Sequence, residues 1–152
     1  MARILVQEAL FDMAAESAAL TAGRIDVGGV ASFLGVCRGD DGLSALVLEH
    51  YPGMTERALA RIATEAEARW PLTGCTVIHR MGRILPGEPI VLVLTASAHR
   101  AAALEACAFL IDWLKTKAPF WKREECADGA ARWVAAKDED AAAAARWSAK
   151  QG

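Results

Sequence analysis

The stretch that most constrains the fold is the apolar run from Pro89 to Ala98, whose sequence is PIVLVLTASA. This run is far shorter than the roughly 20 residues that a membrane-spanning helix needs. Because both of its alternating faces are apolar, it predicts a central strand that is covered on each side. Helical spacing of apolar residues then predicts a long helix from His99 to Lys117. The chain is therefore expected to fold as a sheet with helices packed on it.

The other segments predict strands and helices around this core. Strands are expected at 3–10, 26–38, 43–51 and 75–84, with 27–51 forming an antiparallel pair around the turn GDDG, and helices at 12–22 and 54–70. The dipeptide Asp128-Gly129 predicts a terminal β-hairpin, and the tail from Asp138 predicts a C-terminal helix. We expect one α+β domain over residues 1–152, with a largely antiparallel sheet and helices packed on it.

Charge and composition exclude several classes of protein. The 152 residues carry a formal net charge of −2, whereas a protein that binds nucleic acid usually has a basic excess. Acids at Glu8, Asp12 and Glu16 interrupt the N-terminal segment, so it does not resemble a signal peptide. We expect a soluble, cytoplasmic protein that binds neither nucleic acid nor membrane.

The cysteines and histidines give no sign of a metal site. Four cysteines stand far apart without a C-x-x-C pair, which is typical of free thiols buried as small hydrophobes, although one of them could be reactive. His50, His79 and His99 fall on separate elements, and the usual metal, nucleotide and nucleophile motifs are absent from the sequence. We therefore expect no metal and no cofactor.

The segment LKTKAPFWKRE, residues 114 to 124, crowds lysines around aromatic residues at the end of the long helix. At 100° per residue Lys115 falls in phase with Leu104 and Ile111, which predicts that it follows the buried stripe. It could simply extend to solvent, or it could line a pocket suited to proton transfer or nucleophilic attack. Strand alternation places Lys122 on the face of Phe120, where it could meet Lys115 with an anion between the two.

A second cluster of cations follows the central strand. His99 and Arg100 begin the long helix, where unpaired N–H groups favour a phosphate. The alternative is a capping serine, Ser97, followed by exposed polar residues. Arg38, beside the turn GDDG, is a weaker candidate because such a position is usually a solvated hairpin end.

Several long motifs in the same order resemble the large, catalytic subunit of molybdopterin synthase. They are LEHYPGMTERAL (48–59), VIHRMGRILPGE (77–88), TASAHR (95–100) and LKTKAPFWKRE (114–124), with RWV at Arg132 and a final RW at Trp147. The resemblance implies a sulfurtransferase of molybdenum cofactor biosynthesis. It would add two sulfurs to cyclic pyranopterin monophosphate, taken from the C-terminal thiocarboxylate of a small ubiquitin-like subunit. The expected assembly is a heterotetramer around a homodimer of large subunits.

The resemblance also implies roles for individual residues. Lys115 and Lys122 match the family's two essential lysines, while Arg38, His99 and Arg100 match its anion pocket, the last two serving the neighbouring protomer. Lys115 could stabilise charge, move a proton or accept the acyl group. Phe33 and Met54 lie in matching stretches without an assigned role, and Lys137 stands where the family often has a basic residue.

Two other functions fit parts of the same pattern. An adaptor that binds the tail of a ubiquitin-like partner without chemistry would need the cation pocket but no reactive lysine. A small protein that binds a phosphorylated ligand would use His99 and Arg100 and would need no protein partner. Binding of the small subunit distinguishes the second of these from the enzyme.

Overall fold

The computed structural model describes residues 2–40, 42–134 and 138–148, which form four helices and eight strands. The strands are β1 (Arg3–Gln7), β2 (Gly29–Val36), β3 (Leu43–His50), β4 (Leu72–Arg80), β5 (Gly82–Ile84), β6 (Pro89–Ser97), β7 (Phe120–Cys126) and β8 (Ala131–Val134). The helices are α1 (Met13–Thr21), α2 (Met54–Arg69), α3 (Arg100–Thr116) and α4 (Asp138–Ala145). The predicted α+β class is confirmed. Among the described helices, none has the length and apolar character that crossing a membrane requires.

The strands divide between two four-stranded sheets. The first sheet has the order β1-β4-β6-β2, and the second has the order β5-β3-β7-β8. The pair β1 and β4 is parallel, whereas every other pair of described strands is antiparallel. The predicted antiparallel character is thus confirmed, but the strands form two sheets where the sequence predicted one.

The apolar run forms β6, a central strand between β4 and β2, as predicted. Val91 and Val93 pack in the main core with residues of α2 and α3. Leu92 and Leu94 point to the opposite face, where residues of and beside α1 cover them. Cover on both faces is the reason that this strand has no polar alternation.

The predicted pairing of residues 27 to 51 is wrong, because β2 and β3 belong to different sheets. β2 pairs along its whole length with β6, from Gly29 opposite Ser97 to Val36 opposite Pro89. β3 pairs instead with both β5 and β7. Because β3 pairs on both of its edges within the second sheet, no edge is left for β2.

The predicted strand at 75–84 is also divided, because the chain bends at Gly82. Gly82 has a φ of 83°, which glycine adopts without the strain that a side chain would bring. After the bend, Ile84 pairs with Leu46 in the second sheet. One apolar segment therefore contributes β4 to the first sheet and β5 to the second.

Local turn and cap signals were sufficient at three other places. Asp12 caps α1 by accepting a hydrogen bond from the backbone N–H of Ala15 at 3.1 Å. The terminal hairpin β7–β8 turns at Gly129, whose φ is 86°, and Asp128 accepts from the backbone N–H of Ala130 at 2.9 Å. The predicted C-terminal helix is α4.

Candidate active site

Lys115 lies in the last turn of α3 and is exposed, so the prediction that it follows the buried stripe is wrong. The buried face of α3 consists of Ala103, Ala106, Cys107, Phe109 and Leu110. Leu104, which is in phase with Lys115, is 59% exposed and marks the flank of that stripe. The ammonium group of Lys115 is consequently accessible to a ligand from solvent.

Lys122 lies on β7 and is half-buried. Opposite residues of an antiparallel pair point to the same face, and Lys122 is opposite Leu48 of β3 and Val134 of β8. Strand alternation adds Phe120 and Glu124 to this face, as predicted. Glu124 accepts hydrogen bonds from the guanidinium of Arg132 at 2.9 and 3.0 Å, which places a carboxylate next to the lysine on the same face.

Phe120 lies between two histidines, His79 and His50, for which the sequence predicted no role in the site. Its ring stacks on the imidazole of His79 with centroids 3.9 Å apart and planes 19° apart. On β3, His50 lies opposite Phe120, with ring centroids 6.1 Å apart and planes 34° apart. His79 belongs to β4, so this contact joins the first sheet to the second.

The electrostatics of His79 include the charges of both predicted lysines. Burial lowers the pKa of His79 to about 4, partly offset by a hydrogen bond to the carbonyl of Arg80. The charges of Lys122 and Lys115 lower this pKa as well, so both lysines lie within electrostatic reach of the imidazole. The residue is therefore neutral at physiological pH, beside two cations.

His50 adds a buried nitrogen without a hydrogen-bond partner among the described residues. Its Nδ1 lies 3.8 Å from a carboxylate oxygen of Glu56, which is beyond hydrogen-bond distance, and its side chain is 9% exposed. The carboxylate of Glu56 is held by the backbone N–H of Gly53 at 3.2 Å, at the start of α2. The neighbourhood of Phe120 thus contains one neutral imidazole and one that lacks a bond at Nδ1.

Arg38 follows β2 and is exposed, with a guanidinium nitrogen 3.8 Å from Asp40. Its neighbour Cys37 is buried against Leu46, Leu48 and Ile84, all from the second sheet. Leu46 and Leu48 share the face of the sheet that carries Lys122. The end of β2, and Arg38 with it, is therefore on the same side of this sheet as the second lysine.

His99 and Arg100 lie at the other end of α3 from Lys115. His99 is the N-cap residue without a side-chain cap bond, and both residues are exposed. Arg100 is separated from Lys115 by about 22 Å at the usual rise of about 1.5 Å per residue. One chain therefore does not bring these two groups together. Ser97 is not the cap, since its hydroxyl donates to the carbonyl of Pro71 at 2.8 Å.

The other candidate residues lie on the surface, lie outside the described residues or are buried thiols. Phe33 and Met54 are exposed, and Lys137 lies outside the described residues. Cys75 and Cys107 are buried, and burial raises the pKa of the first thiol to about 12 and of the second to about 11. Such thiols stay protonated and are poor nucleophiles. In the described part of the chain, no group of three or more potential ligands could hold a metal ion.

Comparison with known proteins points to one family. The family model described as "MoaE protein" matches residues 6–117. A molybdopterin synthase catalytic subunit of Mesorhizobium japonicum is 61% identical over 146 residues, covering 95% of this chain and 92% of that protein. The structure of a molybdopterin biosynthesis MoaE protein from Burkholderia ambifaria is 50% identical with a TM-score of 0.83, covering 97% of this chain and 99% of the other. A molybdopterin synthase structure from Staphylococcus aureus is 27% identical with a TM-score of 0.78, covering 88% and 98%.

Proposed function

Because the chain belongs to the MoaE protein family, we propose that it is the catalytic, sulfur-transferring subunit of a molybdopterin synthase. Its substrate is cyclic pyranopterin monophosphate, which it converts to molybdopterin in the cytoplasm by the addition of two sulfurs. The observation that carries the proposal is that Lys115, in the last turn of α3, and Lys122, on the next strand, both act electrostatically on the buried His79. Two cations that act on the same buried imidazole, one exposed and one half-buried, offer positive charge to an anion.

The sulfur donor is the C-terminal thiocarboxylate of a small ubiquitin-like subunit, whose tail enters beside the two lysines. Lys115 lies next to the thiocarboxylate carbon and stabilises the negative charge that develops as the acyl–sulfur bond breaks. It can also move a proton or hold the acyl group transiently. Lys122 neutralises the neighbouring charge of the tail and the substrate.

The phosphate end of the substrate requires further cations, and we assign this role to Arg38, His99 and Arg100. Guanidinium groups bind phosphate through paired N–H donors, and the start of α3 adds backbone N–H groups to them. Since about 22 Å separate Arg100 from Lys115 in one chain, His99 and Arg100 serve the site of the neighbouring protomer. The functional unit is therefore a homodimer of this chain with two small subunits bound to it.

A single-turnover assay tests the proposal. It combines the chain with thiocarboxylated small subunit and cyclic pyranopterin monophosphate, and it measures molybdopterin. We expect product from the wild type and from Lys117→Ala, a matched control for an exposed lysine at the end of the same helix. We expect none from Lys115→Ala, although this variant should fold and bind the small subunit.

Each other outcome has a definite meaning. Near-normal turnover by Lys115→Ala would remove the catalytic role of that lysine and leave the enzyme. Binding of the small subunit without any product from the wild type would favour an adaptor that holds the tail without chemistry. Failure of the wild type to bind the small subunit would favour a protein that binds a phosphorylated ligand.

A further inference from the structure

His79 is a buried side chain that is within electrostatic reach of both lysines, and the reaction proposed above has no role for it. It is 6% exposed and lies on β4, which pairs with β1 on one side and β6 on the other. Its Nδ1 lies 2.8 Å from the carbonyl oxygen of Arg80. A carbonyl can only accept, so Nδ1 carries the proton and Nε2 of the neutral ring carries a lone pair.

The backbone around His79 is held on several sides. The guanidinium of Arg80 donates to the carbonyl of Glu8 at 3.0 Å and to the carbonyl of Pro89 at 2.9 Å. Arg80 is itself buried, so these bonds are shielded from water. The imidazole of His79 is therefore a fixed point of the first sheet.

Because the ring of Phe120 stacks on His79, the first sheet restrains a side chain of the second sheet. Phe120 is the first residue of β7, and the chain arrives there from the end of α3 through Ala118 and Pro119. Lys122 lies two residues later on the same face of β7. The position of the Phe120 ring consequently sets where the lysine lies relative to the last turn of α3.

We propose that His79 is a positioning residue of the sulfur-transfer site, which holds Lys122 beside Lys115 by stacking on Phe120. The inference rests on the proposed function and adds a residue to it. A flat ring with centroids at 3.9 Å restrains the phenyl group more closely than an aliphatic side chain would. Displacements of about 1 Å at a catalytic group can cost about a hundredfold in rate, so such a restraint matters.

Neutrality makes an imidazole suitable for this position. The pKa of about 4 keeps His79 uncharged at pH 7, so it adds no third positive charge to the two ammonium groups. A permanent cation at the same position would repel both lysines. The ring thus supports the lysines without competing with them for the anion.

The test compares four proteins in the single-turnover assay: wild type, His79→Leu, His79→Phe and Ile78→Ala. Leucine fills the space without an aromatic face, and phenylalanine restores that face. Ile78 is the matched control, because it is 1% exposed on the same strand and faces the opposite side of the sheet. Affinity for the small subunit is measured for each protein.

We expect His79→Leu to lower the rate constant at saturating substrate by about tenfold or more, with small-subunit affinity and KM within about twofold of wild type. His79→Phe should recover most of the rate, and Ile78→Ala should retain it while it lowers the melting temperature. An equal loss of rate in Ile78→Ala and His79→Leu would overturn the proposal, since it would indicate general damage to the core. A rate in His79→Phe as low as in His79→Leu would also overturn it.

A readout independent of turnover separates this inference from the proposed function. The rate at which an amine-reactive ester modifies Lys122, relative to Lys117, is measured by mass spectrometry in wild type and His79→Leu. We expect the ratio to change by about twofold or more in His79→Leu and to return in His79→Phe. An unchanged ratio would overturn the positioning role, whereas a wild type that makes no molybdopterin would overturn the proposed function alone.

Discussion

Mixing two inactive variants tests whether two protomers build each site. The variants are Lys115→Ala, which removes a group at the end of α3, and Arg100→Ala, which removes one at the start. Alone, each should lack activity, because every site of its homodimer lacks one of the two cations. After the two are mixed and allowed to exchange subunits, some sites should regain both.

The expected recovery follows from the geometry of α3. About 22 Å separate the two positions in one chain, so a site that needs both must take them from different protomers. Random exchange at equal concentrations makes about half of the dimers mixed, and each mixed dimer has one site with both substitutions and one with neither. About a quarter of all sites are then intact, so the mixture should show about a quarter of wild-type activity.

The assay is molybdopterin formation in a single turnover, at saturating thiocarboxylated small subunit. The variants carry different affinity tags, so that capture on one tag and detection of the other measures the mixed dimers. Exchange is promoted by brief dilution and then reconcentration. Activity is compared before and after exchange, and with wild type treated in the same way.

A mixture of Lys115→Ala with Lys122→Ala serves as the control, because both lysines lie near His79 of the same chain. In that mixture every site lacks one lysine, and no recovery is expected. If the first mixture also stays inactive although mixed dimers are detected, each protomer uses its own Arg100, and the argument from helix length fails. If both mixtures recover, the two lysines do not share a site.

Three further predictions concern stability and the thiols. Trp147 packs at 5.6 Å from the rings of Trp70 and Phe109 and donates to Asp112, so Trp147→Ala should lower the free energy of unfolding by about 3–5 kcal/mol in urea titrations. Trp133→Ala, at a 58% exposed position, should lower it by less than about 1 kcal/mol. The pKa of His79 is lower in the folded chain than its ordinary 6.5, so its contribution to stability is present above that pH and is lost as pH falls toward about 4. Urea titrations from pH 7 to pH 4 should show a loss of up to about 3 kcal/mol from this group, which His79→Phe abolishes. Replacement of all four cysteines should leave sulfur transfer intact in folded protein, measured in the same single-turnover assay, whereas its loss would indicate a persulfide carrier.

Elements with strong local signals could be predicted from the sequence. The apolar run predicted β6 because a strand with two apolar faces needs cover on both sides, which a central position gives. Asp12 predicted a helix cap and Gly129 a turn, and both depend on neighbouring residues alone. The proposed pairing of the two lysines has a similar local basis, since only a short turn separates α3 from β7. For β6, the cap of α1 and the turn at Gly129, the local sequence was sufficient to predict the structure.

Pairing between distant strands was not predictable in the same way. The turn after β2 favoured a hairpin with β3, but the choice between β3 and β6 as a partner depends on the whole sheet. The buried face of α3 was predicted wrongly because apolar residues occur around most of that helix, with alanines at positions 101–103 and leucine at 104. A shift of one residue rotates the stripe by 100°, which moved Lys115 from the buried face to the flank.

The two histidines show why the surroundings of Lys115 and Lys122 are harder to predict from the sequence than the lysines themselves. His79 meets Phe120 because β4 and β7 lie in different sheets that pack together, and His50 meets it because β3 and β7 pair. Neither relation has a local sequence signal, because each joins strands that are far apart in the sequence. A buried imidazole near two ammonium groups must stay neutral, and the structure meets that requirement by burial. The surroundings of Lys115 and Lys122 are therefore a tertiary property, and substitution on β4, far away in the sequence, should alter their chemistry.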